Sequence, residues 1–189
     1  KRQLCVPLVA SSQDVEAEDV PRRIYVSHPQ NWYAEQVQLW QSVTEREPKN
    51  ERAWWNYYFA ASYGGLGEGK KRSILEALAE TLPDTYSLLY IKARNTWDWA
   101  EKLRLVKAAH AANPEGRDAW YGVMMGSILA GDTVSAINMA KRIYQSGDIA
   151  SGIYDLNYNM LQSVGEHGIL FTNGDLDTMP AWVLQLSLI

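Results

Sequence analysis

Cysteine is all but missing from this sequence. Cys5 is the one thiol in 189 residues, which excludes an internal disulfide and a thiolate zinc cluster. Phenylalanine is nearly as scarce, with two residues against eight tryptophans and eleven tyrosines. That bias selects rings with an apolar body and a polar tip, which suit interfaces and helix packing alike. No run reaches the 18 or more consecutive apolar residues of a membrane-spanning helix. An excess of positive charge is lacking too. Eighteen basic against twenty-two acidic residues leave a formal net charge of -4, so no overall field favours a phosphate backbone or an anionic bilayer, and nucleic acid is not an expected partner. The three histidines, His28, His110 and His167, lie too far apart for a zinc motif. No P-loop, G-x-G-x-x-G, H-E-x-x-H or Ser-His-Asp order occurs either. These patterns yield no catalytic residue, metal ligand or cofactor.

What is present is a hydrophobic content of 47%, enough for a folded core in a chain of this length. Residues 1–29 form a leader. Its start, "KRQLCVPLVASSQ", sets two basic residues before a seven-residue apolar stretch and faintly resembles the tail of a secretion signal, with an extended arm as the other reading. The remainder, with four acids, Pro21 and Pro29, shows no helical period and one strand-like patch at 24–26. From Asn31 the pattern changes. Trp32, Tyr33, Val37, Leu39, Trp40 and Val43 fall mostly at three- and four-residue spacings until Pro48, which predicts an amphipathic helix.

Three stretches then repeat one design: "EPKNERAWWNYY", "LPDTYSLLYIKA" and "NPEGRDAWYGVM" each place a proline after a helix, then polar residues, then an aromatic-rich helix. Pro48, Pro83 and Pro114 recur at intervals of 35 and 31 residues. Each proline stops the helix before it, and residues such as Asn50 and Asp84 can accept the orphan N–H groups of the next one. The spacing predicts helices over 30–46, 51–63, 69–81, 84–95, 98–112, 116–129, 133–146 and 149–163. Gly131-Asp132 reads as a stop followed by a cap.

Residues 30–164 resemble the tetratricopeptide repeat, a helical hairpin of about 34 residues whose small residues let its two helices approach closely. Counting from Trp120, Ala136 stands at the expected small position; in the first repeat Lys70 replaces the expected alanine, and the second lacks an initial tryptophan. The resemblance implies a right-handed α-solenoid of stacked hairpins with a concave surface, and a protein or peptide partner in a larger complex. Trp54, Trp55, Tyr58, Trp120 and Tyr121 are the candidate partner-binding residues, with core packing as the competing role. Neighbouring helical residues point about 100 degrees apart, so one ring of each adjacent pair is expected to be partly exposed. The charged "EGKKRS" at 68–73 reads as a solvated turn.

"GILFTNGDLDTMPAW", residues 168–182, departs from the helical pattern. The run 169–172 is short, apolar and bounded by Gly168 and Asn173-Gly174, which predicts a buried strand. Asp177 or Thr178 is then expected to cap a helix starting near Pro180, and "LSLI" after Gln185 reads as a second strand, with a connecting segment missing between Gln185 and Leu186. Residues 165–189 thus predict a strand, loop and helix of an incomplete α/β unit, and Asn173, Asp175 and Asp177 become ligand-binding candidates at its strand end. Turn and cap chemistry is the competing role for these acids, and Asn is expected to serve at position 177 nearly as well as Asp. The segment N-G-D-x-D-T-x-P-x-W resembles one in Bacteroidetes envelope proteins and O-mannosyltransferase-like membrane proteins. That resemblance implies a bacterial cell-envelope setting, periplasmic or outer-membrane associated, against a cytoplasmic alternative. The expected function is a non-enzymatic protein-interaction scaffold, and the alternative is a ligand-binding portion of a glycosyltransferase-like enzyme.

Overall fold

A computed structural model describes residues 16–22 and 26–188. Cys5, the apolar stretch beside it, and Ile24 and Tyr25 of the strand-like patch lie outside those residues. The protein is mainly helical, with nine α-helices and one 3-10 turn among the described residues. The chain divides into two compact units, Lys1–Leu82 and Pro83–Ile189.

The first unit contains α1 (Gln30–Arg46), α2 (Glu51–Tyr63) and α3 (Glu68–Thr81). Pro48 follows α1 closely, and the Glu47 N–H closes that helix on Val43 O at 2.8 Å. Asn50 then opens α2 by accepting the Ala53 N–H at 3.1 Å, one of the orphan donors of a helix start. Tyr33, Val37 and Trp40 of α1 and Ala53, Trp54, Tyr57, Ala60 and Ala61 of α2 are buried, joined by Ile74 and Leu78 of α3. Four-residue and three-residue spacing along α1 puts its apolar side chains on one stripe, which is why that face is interior.

The second unit contains α4 (Tyr86–Asn95), α5 (Trp99–Ala112), a 3-10 turn (Arg117–Ala119), α6 (Trp120–Leu129), α7 (Thr133–Ser146), α8 (Ser151–Gln162) and α9 (Asp175–Leu188). Asp98 caps α5 through the Glu101 N–H and Asp132 caps α7 through the Ser135 N–H, both at 3.0 Å. Gly147 ends α7 at φ 72°, a left-handed turn that glycine adopts without a Cβ penalty. Helices α5 and α6 meet closely at Gly122, where a Cβ would lie 2.7 Å from Val106 Cγ1. The core joins Trp120 and Met124 of α6, Met139, Ala140 and Ile143 of α7, and Val183 of α9, with Trp182 and Leu186 half-buried against them. Helix α9 is therefore integral to this unit.

Two junctions share one device. The Trp54 indole donates to Pro48 O at 2.8 Å and the Trp120 indole donates to Pro114 O at 3.0 Å. In each case the proline that ends one helix offers its carbonyl to the tryptophan of the next, six residues on. The corresponding position after Pro83 is Leu89, which has no side-chain donor.

The expected α/β piece is not formed. No strand occurs among the described residues; Ile169 and Phe171 are 79% and 90% exposed on an irregular segment. A four-residue apolar run with no neighbouring strand leaves its backbone groups to water, and no buried strand results. Helix α9 starts at Asp175, five residues before the expected Pro180, and runs unbroken through Gln185, Leu186 and Ser187, so the second strand is helix as well. Pro180 inside it lacks the N–H that would reach Leu176 O. That carbonyl is taken instead by Asn157 Nδ2 of α8 at 3.0 Å, and both Asn157 and Pro180 are fully buried. Helices α1, α2 and α7 keep their expected bounds, α3, α4, α5 and α8 differ by one or two residues at one or both ends, and α6 starts four residues late. The 3-10 turn at Arg117–Ala119 occupies what the spacing reads as the first turn of the helix over 116–129.

Candidate functional site

The aromatic candidates separate by burial. Trp54, Tyr58 and Trp120 are interior at 7%, 4% and 4% exposure, whereas Trp55 and Tyr121 are half-buried. Trp54 tilts against Tyr57 with ring centroids 6.4 Å apart, and Trp55 against Phe59 at 4.5 Å. Trp120 lies beneath two guanidinium groups, Arg142 at 4.4 Å and Arg117 at 5.9 Å from the ring centroid. Such contacts hold both rings and cations in place.

The fully exposed aromatic is one that periodicity passes over. Trp97 is 98% exposed and Trp99 48% exposed, on either side of the cap residue Asp98. In Trp97-Asp98-Trp99 the first ring precedes the helix and the second occupies its first position, where no interior stripe has begun. The signal was the position of the rings about the cap, not their number. Lys102 Nζ sits 5.8 Å from the Trp99 ring centroid.

At the other candidate site, Asp177 stands at the third position of α9. Its Oδ2 accepts the Asn173 N–H at 2.9 Å and its Oδ1 the Gly174 N–H at 2.7 Å. Gly174 O in turn accepts the first helical bonds, from Asp177 N at 3.3 Å and Thr178 N at 2.9 Å. Carboxylate and helix start thus satisfy each other, as in a capping box. The Asn173 backbone N–H, joined by those around it and by the Thr178 hydroxyl, holds the Asp177 carboxyl below its ordinary value of 3.8. The fork changes one expectation. Two different oxygens are engaged, so an Asn at this position would offer one acceptor and turn its NH₂ toward a donor. Asn173 and Asp175 are exposed beside it.

Among the described residues, no three His, Cys, Asp or Glu side chains come together as a metal site would need. Nor do the histidines share a site. His28 stacks on Trp32 at 3.9 Å, and His167 is exposed at φ 60°. His110 is half-buried, and burial, with Arg142 adding to it, lowers its pKa below 6.5. A shallow open depression between α5 and α6 is lined by Leu103, Arg104, Lys107, Gly126, Leu129 and Ala130. Its cations face solvent, and Arg104 is forked onto Glu101 at 2.7 Å, so no acid–base pair converges there. No helix is long and apolar enough to cross a membrane among the described residues.

No known protein family matches the chain, and no curated protein matches it either.

Proposed function

We propose that the chain is a non-enzymatic protein-interaction scaffold whose second unit offers an apolar surface around α8. One observation carries this reading: α8 buries a single residue, Asn157, while Leu156 and Tyr158 beside it are 54% and 51% exposed. The segment that follows adds Ile169 and Phe171, and α9 adds Leu176 at 70% exposure. A helix that leaves two large apolar side chains in water gains by covering them with a partner. Half-buried Trp55 and Tyr121 supply further aromatic surface of the kind favoured at binding hot spots.

Stacked tetratricopeptide-like hairpins forming a right-handed solenoid are the architecture this reading favours, supported by the recurring proline-to-tryptophan junctions. A bacterial cell-envelope assembly is the setting we favour, supported by the resemblance of the segment from Asn173 to Trp182. The enzyme alternative needed an α/β unit, and residues 169–172 and 186–188 do not supply its strands.

The test is a paired affinity capture from the native source with wild-type chain and with Leu156→Asp/Phe171→Asp as baits. A stoichiometric protein retained by the wild type and lost by the variant, whose melting temperature is unchanged, is the expected result. Equal capture by both baits would remove α8 as the partner surface.

A further inference from the structure

Residues 18–20, Glu-Asp-Val, lie against the α1–α2 hairpin in the manner of a bound peptide. The Glu18 N–H donates to Gln36 Oε1 at 2.8 Å and the Val20 N–H to Asn56 Oδ1 at 2.7 Å. The Trp40 indole N–H donates to Glu18 O at 2.8 Å. The helices thus read the backbone at residues i and i+2, which lie on one edge of an extended chain. Side chains are read as well. Val20 is 5% exposed, and the Asp19 carboxylate accepts Arg52 Nε and Nη2, both at 2.8 Å, and Asn56 Nδ2 at 2.9 Å.

Gln36 and Asn56 decide the meaning of this arrangement. At 1% and 2% exposure they are amides inside a mainly apolar hairpin, and a buried amide is costly unless its hydrogen bonds are met. Asn56 meets one donor need within its own helix, at Arg52 O, and turns its remaining groups to Val20 N–H and Asp19. Two amides, one indole and one guanidinium aimed at a single extended tripeptide make a reader of backbone and of the pair Asp-Val. The Arg52–Asp19 pair is about two-thirds exposed on both sides, so it contributes register and selectivity more than affinity.

We infer that the α1–α2 hairpin is a binding site for an extended partner segment carrying Asp followed by a β-branched aliphatic residue, with residues 18–20 as its resident intramolecular occupant. Charge complementarity at Arg52 and the apolar seat of Val20 define the ligand. A tethered occupant acts at an effective concentration in the millimolar range, so it sets the threshold a partner segment must overcome. The site is separate from the apolar surface of α8, and each can fail without the other.

The experiment uses the full chain and a fluorescein-labelled peptide Glu-Ala-Glu-Asp-Val-Pro-Arg, the sequence of residues 16–22. The substitutions Asp19→Lys/Val20→Asp disable the resident segment. Fluorescence anisotropy is expected to show saturable binding at least tenfold tighter to this opened variant than to wild type. Adding Arg52→Asp should abolish it, and a peptide with Arg in place of its Asp should restore it. Saturable binding absent from a folded opened variant, or indifferent to the peptide's Val, would overturn the proposal. A concentration-dependent dimer of the wild-type chain that excludes the peptide would also overturn it, since the occupant would then be a second copy. Hydrogen exchange at the Val20 amide of ¹⁵N-labelled wild type keeps the proposal open to refutation should the opened variant not fold. Excess unlabelled peptide is expected to strip its protection. Exchange only as slow as that of the core Ala53 amide, unmoved by peptide, would make the segment a fixed part of the fold.

Discussion

Residues 16–22 and 165–174 are both irregular, yet they are treated in opposite ways. The first carries three acids and one large apolar residue, and its Val20 is buried; the second carries Ile169, Leu170 and Phe171, and two of those rank among the most exposed side chains described. Hydrophobic content alone would assign the burial the other way round. The difference lies in the backbone. Gln36 and Asn56 accept the N–H groups at 18 and 20, while no strand lies beside 169–172 to do the same. An irregular segment is drawn inside when the helices beside it meet its main-chain groups, and apolar side chains without such partners stay in water.

The largest expected effect breaks this comparison directly. Asn56→Ala leaves the buried Val20 N–H without an acceptor and should cost about 1–3 kcal/mol, read as a lower urea midpoint at constant slope. Phe171→Ser, despite removing a ring, should stay within about 0.5 kcal/mol of wild type because that ring buries almost nothing. Comparable losses in the two variants would mean that residues 169–172 are held by contacts of their own.

A second test asks whether the same rule holds inside α9. Asn157→Ala should cost about 1–3 kcal/mol, since it empties a fully buried position and deprives Leu176 O of its donor. In a Pro180→Ala background the N–H restored at position 180 can reach Leu176 O along the helix, so the penalty of Asn157→Ala should shrink. A double-mutant cycle in urea measures that coupling, and additive losses would show that Asn157 does not act through the proline's orphan carbonyl.

The two proline-to-tryptophan junctions allow a finer comparison. Trp54→Phe and Trp120→Phe each delete one indole N–H, worth about 1 kcal/mol. Trp120→Phe should cost a few tenths more, because Arg142 and Arg117 stand over the larger ring. Thermal melts of both variants, with Leu89→Ala as a junction lacking the bond, check the ordering.

Much of the helical design was legible because its causes are local. Prolines, Asx caps and three- and four-residue spacing act within a few residues, and three helices, α1, α2 and α7, fall on their expected bounds. The α9 region was misread because its cause is distant: Asn157, eighteen residues before Asp175, makes Pro180 acceptable inside a helix, and no spacing rule conveys that. The seat of residues 18–20 was missed for the same reason, as Gln36 and Asn56 look like ordinary polar residues of amphipathic helices. The pairs Trp54–Trp55 and Trp120–Tyr121 divide between buried and half-exposed as helical geometry leads one to expect, but the adjacent Tyr57 and Tyr58 are both buried, and Trp97 stood outside any periodic face.

The smallest effect belongs to Asp177, and pH exposes it. Its carboxyl is held below 3.8 chiefly by the Asn173 N–H, so its stabilising contribution is fully present above the unfolded value and is lost as pH falls through the lowered folded value. Asp177→Ala should therefore melt below wild type at neutral pH, and the gap should close on acidification through and below about pH 4. Asp177→Asn is expected to fall between them, since one oxygen can serve Asn173 or Gly174 but not both in the observed fork. An Asn variant indistinguishable from wild type would show that a single acceptor suffices. Mg²⁺ or Ca²⁺ separates this role from ion binding: a cap gains nothing from the cation, whereas a bound ion raises the melting temperature by mass action. A cation-dependent rise that vanishes equally in Asp175→Asn and Asp177→Asn would reassign the pair as ligands, because Asp175 takes no part in the fork that Asp177 makes.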